Sequence, residues 1–249
     1  IRMGDMEEAR ELYFAYEVAG PITLDTFELR YLLAKAEGEP PERLIQILEE
    51  LSDTLRPHAA EIANNALYMP DADAAVKASA YLDTCMQEHD SSGGVIECII
   101  DGMPAGIGEP VFDKLDADLA KAIFSIGAVK GFEIGDGFLT SFAKGSENND
   151  AFFYDENGNV FKKTNHAGGI LGGMSDGAPI VLRAAVKPTP SIFKAQQTVN
   201  RSGENITLEI KGRHDPVIVP RAVVVVESMA ALVLVDALME NMSSRLEHM

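Results

Sequence analysis

Ile180-Val181-Leu182-Arg183-Ala184-Ala185-Val186-Lys187-Pro188-Thr189-Pro190-Ser191 joins an apolar strand, read over Ile180–Val186, to a stiff turn. The two prolines fix φ and remove two donors, so Lys187, Thr189 and Ser191 offer a cation and two hydroxyls from an extended frame. Such a turn is either a rigid exit from an edge strand or one wall of a site for a small anion. A second stretch, Lys211-Gly212-Arg213-His214-Asp215-Pro216, closes a strand expected at Ile206–Lys211. Arg213 can hold a planar anion bidentately, and His214 and Asp215 can each move a proton. Alone, Arg-His-Asp is also an ordinary solvated turn. Together the two turns can frame a small anionic ligand or cofactor.

Outward from these turns the chain mixes strands and long helices. Pro70-Asp71 opens a helix through about Glu88, because Asp caps well and alanine-rich sequence propagates. Ser91-Ser92-Gly93-Gly94 turns into a strand at Val95–Ile100, and Asp101–Gly106 is again turn-rich. Val111–Ile126 carries Leu115, Leu119 and Ile123 at four-residue steps, opposite Asp113, Asp116 and Asp118, which predicts an amphipathic helix. Further strands are expected at Gly131–Ile134 and Val160–Lys163. The apolar run Val217–Met239 reads as a strand end and a buried helix, the helix spanning about Arg221–Met242. An α/β or α+β layered domain follows. The glycine loop Ala167–Gly173 lacks the residues that end a phosphate-binding P-loop, and is either a plain turn or a close backbone approach to a ligand.

Residues 1–66 differ in texture, with 14 acidic against 6 basic residues. Leu44, Ile47, Leu48, Leu51 and Leu55 fall on one helical stripe after Pro40-Pro41, and Phe27–Leu33 suggests an earlier helix closed by Gly38. The chain therefore divides into an acidic helical segment over 1–66 and a second region over 67–249. A net charge of −18 over 249 residues argues against nucleic acid, whose binding needs clustered cations. Arg221, Glu227 and Asp236 interrupt the longest apolar run, so no membrane residence is expected. Two cysteines, Cys85 and Cys98, read as core thiols of a reducing, cytoplasmic compartment. Neither they nor the scattered histidines show metal-ligand spacing, so no metal is expected.

Several stretches, in order, resemble the chorismate synthase family. They are Gly108–Leu115, Ser125–Gly135, Gly145-Ser146-Glu147-Asn148-Asn149-Asp150, Thr164–Ile170, Lys187–Ser191, and Gly212–Asp215 with Pro220-Arg221-Ala222. The resemblance spans about residues 67–249 and corresponds to the carboxy-terminal portion of a family member. It implies an α+β fold, part of a β-α-β sandwich, preceded here by the acidic helical segment. It also implies a homotetrameric lyase of the shikimate pathway, making aromatic amino acid precursors. The implied reaction is a trans 1,4-elimination of phosphate from 5-enolpyruvylshikimate 3-phosphate to chorismate. It uses reduced FMN that is not consumed, with NADPH as a candidate reductant. Carried over by position, FMN contacts fall at Gly127, Ala128, Gly172, Lys187, Pro188, Thr189, Pro190, Ser191 and Arg213. Asp215 matches an acidic residue that assists proton movement. The family's amino-terminal Gly-Glu-Ser-His-Gly and arginine-rich motifs are not in this sequence. A second expectation is therefore a noncatalytic flavin-binding or assembly half, paired with a partner chain that carries those motifs.

Overall fold

The central strand of the main sheet is the one read first. In the computed structural model, which describes residue 62 and residues 65–244 apart from 156, 157, 159 and 213, it spans Ile180–Val186. The acidic segment, including its two predicted helices, lies almost entirely outside the described residues, and so does Arg213. In chain order the elements are α1 (Ala72–Gln87), β1 (Gly94–Ile100), α2 (Leu115–Phe124), β2 (Val129–Ile134) and a 3-10 helix (Gly137–Phe142). Then come α3 (Gly145–Asn148), β3 (Phe152–Tyr154), β4 (Val160–Lys162), β5 (Ile170–Leu171), β6 (Met174–Ser175) and β7 (Ile180–Val186). The hairpin β8 (Gln196–Val199) and β9 (Asn205–Leu208) precedes the long α4 (Val219–Ser244).

β7 lies between β1 and β2 and is antiparallel to both. Gly94 and Val129 both face Val186, and Ile100 faces Ile180, so the start of both outer strands meets the end of β7. Its side chains alternate, with Ile180, Leu182, Ala184 and Val186 buried, as period-2 geometry requires of a strand covered on one face. The covering layer is helical. α2 lays Leu115, Leu119 and Ile123 on the sheet, all at most 1% exposed. Full burial of each such side chain stabilises the fold by roughly 1.5–3 kcal/mol. α4 contributes Val226, Ala230 and Leu234, again at four-residue steps.

Three sequence expectations change in detail. α2 begins at Leu115, not Val111, because Val111 sits at φ 69° and the Leu115 amide donates to Gly173 O at 2.9 Å. The strand expected at Ile206–Lys211 is Asn205–Leu208, paired with a β8 that has no hydrophobic signature. The strand end at Val217 shrinks to one bridge with Ser92.

α4 departs most, because it is not a buried helix. Val224, Val225, Leu232 and Met239 are 56%, 41%, 65% and 48% exposed. The residues Val219–Met242 reach a mean hydropathy of 2.2 with 17% of the window buried, so by length and composition alone this helix is able to cross a membrane. Its three interrupting charges still leave an 18-residue window of high hydropathy, which by length and composition alone is weak evidence for a membrane span. Both cysteines are free. Cys85 is buried, and burial pushes the Cys98 thiol up to about 11, with Glu227 adding to the rise.

Candidate functional site at one end of the sheet

Because β7 runs antiparallel to its neighbours, its exit and their entries share one end of the sheet. The Lys187 amide donates to Ala128 O at 2.9 Å, which ties the proline turn to the residues entering β2. Ala128 holds φ 73°, a left-handed conformation that costs a non-glycine residue on the order of 1 kcal/mol. A Cβ on Gly93 would lie 2.5 Å from Val186 O and 3.0 Å from Pro188 Cδ, so the turn before β1 presses directly on the same prolines. The Ser91 hydroxyl donates to Thr189 O at 2.7 Å, and the Ser92 amide donates to Pro216 O at 2.8 Å. The turn at 90–93 thus bridges the two stretches that carry the candidate chemistry.

Within this end, Asp215 Oδ2 accepts from Arg221 Nη1 at 2.6 Å. Arg221 lies in the first turns of α4 and orients that carboxylate. Lys187 is exposed, and no ion pair engages it among the described residues. Thr189 Oγ1 and His214 Nε2 are buried without a hydrogen-bond partner. Orphaned polar atoms cost roughly 1–3 kcal/mol each, so one on each of the two candidate turns marks a place built for a further polar group. Phe193 stands edge-on to His214, with centroids 4.1 Å apart, and to His89 at 6.1 Å. Lys194 Nζ donates to Asp90 Oδ2 at 2.5 Å. The Lys194 ammonium first, then the Ser91 amide, hold the Asp90 carboxyl below its ordinary range, and Asp90 in turn raises Lys194.

Gly172 is not brought to this place within the chain. It forms the tip between β5 and β6, and the neighbouring Gly173 packs against Lys114 and Glu109 at the start of α2. That is the opposite end of the sheet, about 20 Å away along a seven-residue strand. The far end has its own polar centre. The Lys162 side chain is 3% exposed, donates to Asp176 at 2.6 Å and to Asn165 at 3.1 Å, and sits 3.6 Å from Asp150. Asp150 also accepts from the Thr164 hydroxyl and from the His166 and Ala167 amides. His166 Nδ1 meets Asp136 Oδ2 at 2.6 Å.

The sequence model of the family described as chorismate synthase matches residues 32–239. The chain belongs to the chorismate synthase family. Chorismate synthase of Lachnoclostridium phytofermentans is 69% identical over 182 residues, 73% of this chain and 50% of that protein. The Agathobacter rectalis chorismate synthase is 65% identical over 189 residues, 76% of this chain and 51% of its own length. A crystal structure of a chorismate synthase superposes with a TM-score of 0.61 at 32% identity, covering 74% of this chain and 48% of that one. The α+β fold is thus that of chorismate synthase, and the chain spans about half the length of the curated relatives it matches. The family match reaches back to residue 32, inside the segment that composition sets apart at 1–66.

Chorismate synthases use a reduced flavin. The residues present fit such a group: an ammonium at Lys187, the Ser191 hydroxyl on a stiff frame, and the orphaned Thr189 Oγ1 and His214 Nε2. Gly127 is open, with nothing within 4 Å of where its Cβ would stand. Sequence reasoning missed Asp90, Phe193, Lys194 and Arg221. Only the strand register brings residue 90 beside residue 194, and no local pattern encodes that pairing.

Proposed function

We propose that this chain carries the cofactor end of a chorismate synthase. The reaction is the trans 1,4-elimination of phosphate from 5-enolpyruvylshikimate 3-phosphate to give chorismate, with reduced FMN as cofactor and NADPH as a candidate reductant. The observation that carries this reading is the hydrogen-bonded convergence of Ala128, Lys187 and the Asp215 turn at one end of the sheet. A reduced flavin bound there supplies an electron-rich ring beside the substrate. Lys187 offsets negative charge on cofactor or substrate, and Thr189 and Ser191 present hydroxyls to a polar edge. Asp215, paired with Arg221, is the residue that accepts and returns a proton in this reading. Arg213, outside the described residues, is a cofactor contact by the family resemblance alone, and Gly172 serves from the far end only if another copy or another half brings it near.

The site is completed in a cytoplasmic homotetramer, or by a partner chain that carries the family's amino-terminal motifs. The test is direct. The purified chain should quench FMN fluorescence, and phosphate release from the substrate should rise when the amino-terminal half of the Lachnoclostridium phytofermentans enzyme is added. No quenching by the chain would overturn the cofactor assignment. Full turnover without the added half would overturn the shared site.

A further inference from the structure

Phe193 has a place that packing alone does not explain. It is 49% exposed, yet its ring is edge-on to two imidazoles from two different turns. His214 comes from the turn before α4, and His89 from the turn before β1. His89 holds φ 58°, a conformation a side chain adopts at a cost, while its ring meets Phe193. The residues around Phe193 reach the same turns: Lys194 to Asp90 at 2.5 Å, and Gln196 Nε2 to Pro190 O at 2.9 Å. Residues 193–196 therefore run as a strap across the turns at 89–93, 187–191 and 214–216. Those turns hold no regular ladder with one another beyond the single Ser92–Val217 bridge. Beside the Ser91 and Ser92 hydrogen bonds, the strap is a further tie among them.

We propose that Phe193 is a positioning residue: its ring holds the Lys187–Ser191 turn and the Asp215 turn in one frame, so that both face the same ligand. The ligand side of this inference rests on the flavin reading above, whereas the strap itself does not. The test uses the full chain as wild type and as Phe193→Ala, Phe193→Leu and Phe193→Tyr, with amide exchange and FMN fluorescence as readouts. In Phe193→Ala the Ser92 and Lys187 amides, which donate to Pro216 O and Ala128 O, should exchange about tenfold faster, while amides inside β7 keep the wild-type rate. FMN should bind about tenfold more weakly. Phe193→Tyr should restore both properties, and Phe193→Leu, which keeps bulk but not the ring, should not.

Wild-type exchange at Ser92 and Lys187 in Phe193→Ala, or wild-type behaviour of Phe193→Leu in both readouts, would overturn the proposal. A uniform rise in exchange across the sheet would mean that Phe193→Ala fails to fold. The comparison of Leu with Tyr then decides. If no form of the chain binds FMN but Phe193→Ala still frees the Ser92 amide, the flavin reading falls and the strap stands.

Discussion

Asp150 shows what a single buried charge does for this fold. Its side chain is 3% exposed. Burial pushes its carboxyl up, but the Ala167 and His166 amides, the Thr164 hydroxyl and the Lys162 ammonium outweigh that and bring it down to about 2. A carboxyl depressed in the folded state contributes stability above its unfolded value of about 3.9, and that contribution disappears as pH falls through the folded value. Acid unfolding of the wild type should therefore steepen between about pH 4 and pH 2. Asp150→Asn should lose about 2–3 kcal/mol at neutral pH and flatten that limb, as followed by urea titrations across the range. An unchanged limb in the variant would assign the steepening to other carboxyls. Of this centre the sequence displayed the segments Gly145–Asp150 and Thr164–Ile170 but not their contact. The ends of a 14-residue excursion meet only once β3 and β4 have paired.

Glycines separate elements that must touch from those that only turn. Gly93 and Gly172 both sit in turns, and composition treats them alike. A methyl at Gly93 meets Val186 O and Pro188 Cδ, whereas at Gly172, with φ 64°, it meets nothing within 4 Å. Gly93→Ala should therefore displace the proline turn, costing about 2 kcal/mol or more and weakening FMN binding. Gly172→Ala should cost about 1 kcal/mol, the strain of a left-handed alanine, and leave FMN binding by the chain unchanged. Melting curves and flavin titrations of the two variants decide; equal losses would mean that the two ends of the sheet are coupled. Elements with a period of their own were legible. β7 has the predicted bounds, and α1 begins after Asp71, whose side chain accepts from the Ala74 amide at 2.9 Å. The start of α2 was not legible, because the backbone hydrogen bond that the Leu115 amide donates to a carbonyl 58 positions later fixes it. β8 and β9 were hard to read for a related reason: a hairpin exposed on both faces leaves no alternation to find.

At the scale of the whole molecule, the described sheet and its helical cover form two packed layers. One face of α4 packs on β1 and α2 through Val226, Ala230 and Leu234, while Val224, Val225, Leu232 and Met239 line a second, uncovered apolar face. Stable domains bury such a stripe against another layer. Covering those four side chains would contribute about 1 kcal/mol or more each, enough to drive association with a preformed partner half. Leu232→Glu tests this cleanly, since Leu232 is 65% exposed and takes little part in the chain's own core. The variant should melt within about 0.5 kcal/mol of the wild type. It should nevertheless fail to co-sediment with the amino-terminal half of the Lachnoclostridium phytofermentans enzyme. Ala230→Glu, placed where exposure is 1%, should instead unfold the chain, because an unpaired carboxylate would enter the interface with the sheet. If Leu232→Glu pairs with the added half as tightly as the wild type does, the open face of α4 is not the seam, and the second layer joins the sheet elsewhere.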